Sequence, residues 1–275
     1  MSDKSKSQFV DCGFLVWYIY ITLHTQGDFM KIIASDYDGT FNHGGIDDAK
    51  REAVKRWRKA GNLFGIVSGR AAENLIQLPE KNDFEYDFLL ASNGAVILNA
   101  DGTVRADSRC DGSLARPLIE FLMSLGCYWA SVHTNFSCVI DERDDERFDD
   151  EFTLETMPEV PWFNQISTIL PDDDEASRVT AAIKERFAEK LNPLQNGRCI
   201  DIVSADMNKA QGIYNFLELI GAEYDDLIAV GDNINDIDMI AEFRSYAMEN
   251  GVEEVKAVAD YITTGIIEII EKELA

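Results

Sequence analysis

Four short apolar runs in this chain stop abruptly at polar side chains. KIIAS (31–35) ends at Asp36, LFGIV (63–67) at Ser68, FLLA (88–91) at Ser92-Asn93, and LIAV (227–230) at Gly231-Asp232. Unbroken apolar runs of this length suit strands that are buried on both faces. Helical patterns separate them. Between 46 and 60, Ala53, Val54 and Trp57 recur at helical spacing, and Gly61 ends the pattern as a C-terminal cap. Residues 71–78 read as a second helix. Strand alternating with helix implies parallel strands with helices on both faces, and in such sheets the ligand site lies beyond the carboxyl ends of the strands. The fold class expected is therefore α/β, doubly wound and Rossmann-like. Its polar strand ends place Asp36, Ser68, Asn93 and Asp232 along one edge.

From about residue 107 the texture changes. Residues 114–125 form an amphipathic helical pattern, 128–134 and 136–141 read as strands, and 163–170 and 199–203 as further strands around a helix at 173–190. The alternating pattern then resumes. Asn208 caps a helix running to Ile220 and ended by Gly221, followed by LIAV, short strands at 246–248 and 261–263, and a final helix at 266–274. The simplest organisation is one doubly wound core, 30–106 and 205–275, interrupted by an inserted α+β unit at 107–204. Residues 1–29 are expected to be an extension without assigned function. Their apolar run GFLVWYIYITL has eleven residues, short of the roughly 20 a bilayer span needs. It reads as an added strand or a sticky extension, with Met30 as the expected native start.

Charge narrows the partners. The chain carries 25 Lys plus Arg against 50 Asp plus Glu, a formal charge of −25. Such a chain is expected to avoid nucleic acid and anionic membrane, both polyanions. The basic helix face Lys50, Arg51, Lys55, Arg56, Arg58 and Lys59 then reads as a solvated surface. Five Cys without a CxxC pair, and three scattered His, argue against a disulfide scaffold and a zinc site, and favour the cytoplasm. The oligomeric state is not readable.

The chemistry concentrates in two acidic turns. In Asp36-Tyr37-Asp38-Gly39-Thr40 two carboxylates, two residues apart, follow a buried strand. An Asp at the end of a dry strand is costly unless a cation offsets it. Bound beside a cation it can act as a nucleophile, while its neighbour handles a proton. Gly39 allows backbone N–H groups to approach an anion. The second turn, Gly231-Asp232-Asn233-Ile234-Asn235-Asp236, supplies hard oxygen ligands of the type that suits Mg²⁺. Ser68-Gly69-Arg70 offers a hydroxyl to a phosphoryl oxygen. Lys209 adds positive charge at a helix N-terminus.

Taken together, DYDGT, IVSGR, the Lys209 of NKAQG, and GDNIND resemble the four ordered motifs of the haloacid dehalogenase (HAD) superfamily. SNGA (92–95) and MENGVEEVKAVADYIT (248–263) resemble its Cof-type branch, subclass IIB. The resemblance covers about 30–105 and 205–275, and the insertion matches the position and size of that branch's C2-type cap domain. Departures are modest: Tyr37 occupies a variable position, Phe41 replaces the usual Leu, and Ala210 stands where Gly often follows the Lys.

The resemblance implies a Mg²⁺-dependent phosphomonoester hydrolase acting through an aspartyl-phosphate on a small phosphorylated metabolite, expected to be a sugar phosphate. It makes Asp36 the nucleophile, Asp38 the acid and base, and Ser68 and Lys209 the holders of phosphoryl oxygens. Mg²⁺ falls to Asp36, Asp38 and Asp232, with Asn235 and Asp236 in support. Gly39, Thr40, Gly69, Arg70 and Asn93 fall on the substrate and phosphate side. Two alternatives stay open: a phosphohexomutase-type transferase, for which Arg143, Arg147, Arg178 and Arg198 are candidate second-phosphate ligands, and a non-enzymatic binding protein on the same scaffold.

Overall fold

The computed structural model describes residues 30–134, 137–143 and 151–275. The extension before Met30, with its apolar run, lies outside the described residues, as do Phe136, Arg147 and most of the acidic run 141–151.

The strands are β1 (Ile32–Ser35), β2 (Leu63–Val67), β3 (Phe88–Ala91), β4 (Val96–Asn99), β5 (Val104–Asp107), β6 (Cys110–Asp111), β7 (Trp129–His133), β8 (Ser137–Asp141), β9 (Trp162–Phe163), β10 (Gln165–Ile169), β11 (Leu191–Asn196), β12 (Cys199–Ser204), β13 (Leu227–Gly231), β14 (Arg244–Met248) and β15 (Tyr261–Thr263). The helices are α1 (Asp48–Lys59), α2 (Ala72–Leu75), α3 (Leu78–Asn82), α4 (Ala115–Ser124), α5 (Asp173–Phe187), α6 (Lys209–Ile220), α7 (Ile237–Glu242), α8 (Glu253–Val258) and α9 (Ile266–Leu274).

The larger sheet has the order β15-β14-β13-β1-β2-β3-β4-β5. It is parallel from β15 to β3, and β4 and β5 are added antiparallel. The chain leaves β1 toward β2 and later returns on its other side as β13, so the strand order reverses at the β1/β13 pair. In an open α/β sheet that reversal opens the ligand crevice. Burial explains the apolar runs. Ile33 faces a cluster with Trp57, Phe64 and Ile269, beneath α1 and α9. Ile32 and Ala34 face the opposite cluster, with Ile213, Phe216 and Met239 from α6 and α7.

The insertion makes its own sheet, ordered β11-β12-β10-β7-β8 and antiparallel throughout. Period-two alternation divides its faces. Ala130, Val132, Ile140, Ile166, Ile200 and Ile202 pack against Leu118, Leu122, Val179 and Ile183 of α4 and α5. Trp129, Ser131, His133, Gln165, Ser167 and Asp201 point the other way, toward the carboxyl ends of the core strands. The chain enters and leaves this unit side by side: the hydroxyls of Ser108 and Ser204 lie 3.1 Å apart.

Several elements differ from the sequence reading. The helix expected at 71–78 is two short helices, α2 and α3, with Pro79 in the first turn of the second. Proline is favoured there because its missing N–H has no intrahelical partner to lose. β11 escapes the apolar pattern because it reads LNPLQN. It is an edge strand, where Pro193 breaks no second ladder. α7 and α8, six residues each, are too short to show a periodicity. Among the described residues no helix is long and apolar enough to cross a membrane.

One backbone contact sets the position of α6. Gly94 has φ +92°, and a Cβ on Gly212 would lie 2.4 Å from the Gly94 Cα. Only two glycines let α6 seat on the 92–94 turn. Gly212→Ala is expected to lower stability by about 1–3 kcal/mol, the usual cost of overpacking, measured as a shift in the urea midpoint at constant slope.

Candidate active site

The turn after β1 starts with Asp36, whose N–H donates to the Val230 carbonyl of β13 at 2.8 Å. The first acidic turn is thereby tied to the strand that carries the second. Gly39 follows at φ +85°, and a Cβ there would lie 2.4 Å from Asp232 Oδ2. The glycine is required twice, for its left-handed backbone and for room beside that carboxylate. The Gly39 carbonyl accepts from Asn250 Nδ2 at 2.9 Å, and the Asp232 carbonyl accepts from the Val252 N–H at 2.9 Å. The 248–252 segment therefore braces both turns.

Lys209 is the first residue of α6. Asn208 caps that helix by accepting from the Gln211 N–H at 2.8 Å. The Lys209 side chain is 0% exposed and donates to Asp36 Oδ1 at 2.6 Å and Asp236 Oδ1 at 2.5 Å. Burial works against the ammonium charge, but the carboxylates of Asp236 and Asp36 outweigh it and hold the pKa above the ordinary lysine value. Burial pushes the Asp36 carboxyl well above its usual range; Lys209 opposes this and Asp236 adds to it. Burial also raises Asp232, against the Thr40 hydrogen bond. The remaining oxygen of Asp236, Oδ2, accepts from the N–H groups of Asp232 and Asn233 at 2.9 and 3.0 Å. Asp236 thus positions both the lysine and the Asp232 loop.

Carboxylate oxygens of Asp36, Asp232 and Asp236 lie within 4.8 Å of one another. One ammonium faces three carboxylates, so the cluster is short of positive charge. Its donors are all hard oxygens, and it fits a hard divalent cation such as Mg²⁺. Asn235 lies on the same turn, partly exposed.

The other expected residues distribute as follows. Asp38 is half-exposed and held in a fork by Arg70, at 2.6 and 2.8 Å. Arg70 therefore faces an acid before it faces any substrate. Thr40 donates to Asp232 Oδ1 at 2.5 Å, which makes it a support for that carboxylate. Ser68 is buried at the end of β2, its Oγ accepting from the Arg70 N–H at 3.2 Å. The Gly69 carbonyl accepts from Gln165 Nε2 at 3.0 Å, and Asn93 Nδ2 donates to Asp201 Oδ2 at 3.1 Å. Core and insertion thus meet at Gly69 and Asn93. Arg143 is paired with Asp141, and Arg178 with Glu175. Arg198 is exposed in the turn between β11 and β12. None of these three lines the cavity between core and insertion, a space of about 500 Å³.

Sequence reasoning missed the insertion's contributions. His133 Nδ1 lies 2.7 Å from Glu73 of α2 and 2.9 Å from the Ser137 hydroxyl, which also bonds Glu73. This trio joins β7 and β8 to the core across the cavity. Cys199 also lines it, while Cys110, Cys127 and Cys138 are buried thiols, with burial pushing Cys110 up to about 12. Strand alternation alone could have marked His133 and Asp201 as sharing a face with Gln165, had the register been known.

A family model for haloacid dehalogenase-like hydrolases matches residues 33–266. The 5-amino-6-(5-phospho-D-ribitylamino)uracil phosphatase YwtE of Bacillus subtilis (strain 168) is 25% identical over 269 residues, spanning 85% of this chain and 93% of its own. The YbjI phosphatase of the same description from Escherichia coli (strain K12) is 24% identical, over 89% and 96%. Among solved structures, a haloacid dehalogenase-like hydrolase from B. subtilis superposes with TM-score 0.75 at 19% identity, covering 88% of this chain and 99% of that one. One from Bacteroides thetaiotaomicron gives 0.72 at 24%, covering 89% and 99%.

Burial raises the Glu73 pKa, but the hydrogen bonds from His133 and Ser137 outweigh it and bring it from 4.5 to about 2. A carboxyl with a depressed folded-state pKa contributes stability above its unfolded value and loses it as pH falls through the folded one. Glu73→Gln is therefore expected to flatten the loss of stability between pH 4.5 and 2, read from thermal midpoints across that range.

Proposed function

The chain belongs to the haloacid dehalogenase-like hydrolase family, and on that premise we propose that it is a Mg²⁺-dependent phosphomonoesterase acting on a small phosphorylated metabolite. The observation that carries the reading is the buried set Asp36–Lys209–Asp236 beside Asp232. A phosphate monoester dianion repels a carboxylate nucleophile, and positive charge held at the site offsets that repulsion.

In this reading Asp36 attacks phosphorus. The new Asp36 Oδ–P bond forms as the P–O bond to the alcohol breaks. Asp38 gives its proton to the departing oxygen, freed from the Arg70 fork as the substrate enters. Asp38 then takes a proton from the water that cleaves the aspartyl-phosphate, releasing inorganic phosphate and restoring Asp36. Lys209 and Ser68 hold the phosphoryl oxygens, and Lys209 also fixes the Asp36 carboxylate. Gly39, Thr40 and Gly69 shape the loop around the phosphate. Asp36, Asp232 and the Asp38 carbonyl would hold Mg²⁺, supported by Asp236 and Asn235. When bound, the cation supplies charge neutralisation at the transferring phosphoryl group. The insertion, 107–204, acts as a cap that excludes water and contacts the leaving group.

The curated relatives act, by their names, on a phosphorylated ribitylamino-uracil. That compound and sugar phosphates head the substrate panel. A mutase needs a second phosphate cradle, and among the described candidates Arg143, Arg178 and Arg198 do not line the cavity, while Arg147 lies outside the described residues.

Phosphate release from p-nitrophenyl phosphate and a phosphometabolite panel tests the reading. Wild type with Mg²⁺ is expected to be active, EDTA to abolish activity, and Mg²⁺ to restore it. Asp36→Asn and Asp232→Asn are expected to lose on the order of 10³-fold or more in kcat/KM. An inert wild type across the panel, or an Asp36→Asn variant as active as wild type, overturns it.

A further inference from the structure

The insertion's face of the cavity holds a cluster of hydrogen-bond acceptors beside Trp129 and several hydroxyls. Gln165 is 1% exposed, and its Nε2 donates to the Gly69 carbonyl at 3.0 Å, to Ser167 Oγ at 2.8 Å and to Asp201 Oδ1 at 3.0 Å. Two of those partners accept only, so the amide cannot turn over, and its Oε1 is left buried without a partner. Behind it Asn93, 0% exposed, commits Nδ2 to Asp201 Oδ2 at 3.1 Å and leaves its own Oδ1 without a donor. Ser167 Oγ donates to Asp201 Oδ1 at 2.8 Å. Asp201, Ser167 and Ser131 stand opposite one another on β12, β10 and β7, in one row across the sheet. Buried acceptors without donors are rare in folded proteins, and such a group calls for a partner.

Among the described residues lining the cavity the only Lys or Arg is Arg70, which Asp38 already engages. An anion placed against this wall would meet a carboxylate and a carbonyl oxygen. Hydroxyl groups placed there would each have an acceptor to donate to.

We propose that Asp201 and Gln165, with Ser167, read hydroxyl hydrogens on the leaving group, so that the enzyme selects phosphomonoesters of uncharged polyhydroxylated molecules and rejects those bearing a second phosphate. This rests on the phosphatase reading above and adds to it a set of specificity residues and a class of excluded substrates. Discrimination comes from both sides: satisfied donors for the right leaving group, and a carboxylate with no lysine or arginine beside it in the lining against the wrong one.

The test compares kcat and KM for p-nitrophenyl phosphate, fructose monophosphate and fructose bisphosphate, in wild type, Asp201→Asn and Gln165→Leu, with thermal melts confirming folding. Wild type is expected to favour the monophosphate over the bisphosphate by about tenfold or more in kcat/KM. Asp201→Asn is expected to raise KM for the monophosphate by about tenfold, with a smaller change in kcat, and to raise the relative rate on the bisphosphate by a similar factor. Gln165→Leu is expected to weaken the monophosphate while keeping the bisphosphate rejected. The gain on the bisphosphate separates recognition from structural damage, which lowers all three together. Equal losses on all three substrates, or a wild type indifferent to the second phosphate, overturn the proposal while p-nitrophenyl phosphate hydrolysis leaves the phosphatase reading standing. A wild type inert toward all three overturns both.

Discussion

Three carboxylates gathered at the ends of two adjacent strands repel one another, and most of the core's polar architecture answers that repulsion. Lys209 is buried completely between Asp36 and Asp236. Removing one partner of such a buried pair generally costs about 3–5 kcal/mol, because a charge is left without compensation. The lysine cannot reach both acids unless α6 begins where it does. That start depends on the Asn208 cap and on the glycine contact at Gly94 and Gly212. Asp236 in turn can face Lys209 only because its second oxygen is satisfied by the backbone of its own loop. Helix start, loop shape and ion pairing form one interdependent arrangement.

The insertion solves a different problem. A sheet with one apolar face must bury that face, and α4 and α5 do so. The opposite face is then free to be polar without weakening the core of the unit. Its side chains meet the core through polar contacts, Gln165 on the Gly69 carbonyl, Asp201 on Asn93, Asn196 on Asn233, and the trio of Glu73, His133 and Ser137, and through a small apolar cluster of Val203 and Leu194 with Ala95. Apart from that cluster, these are hydrogen bonds or ion pairs. Such contacts hold geometry while contributing modestly to stability.

The acidic turns were legible in the sequence because their logic is local. Asp36, Ser68 and Asp232 each follow a buried run directly, and the strand end alone places them, with Asp38 two residues beyond Asp36. Lys209 was legible from its helix start. The residues of the cap face were not. Whether His133, Gln165 or Asp201 points toward the core depends on pairing between strands about 30 to 36 residues apart, and a slip of one residue reverses every side chain. β11 was hidden by a proline tolerated only because the strand lies at an edge. The partners of Arg70 and Thr40, Asp38 and Asp232, emerge only in three dimensions.

The side-by-side crossing at Ser108 and Ser204 bears on how such a protein can change over evolutionary time. A segment whose two ends meet can be lengthened, exchanged or redrawn without altering the path of the host chain. In the proposed reading the reactive groups all belong to the host, and the wall facing the leaving group belongs to the guest. Substitutions at the guest's surface can therefore explore new preferences while the catalytic apparatus keeps its own selection pressures. One point of the seam between them falls on the backbone of Gly69, whose carbonyl is indifferent to side-chain identity.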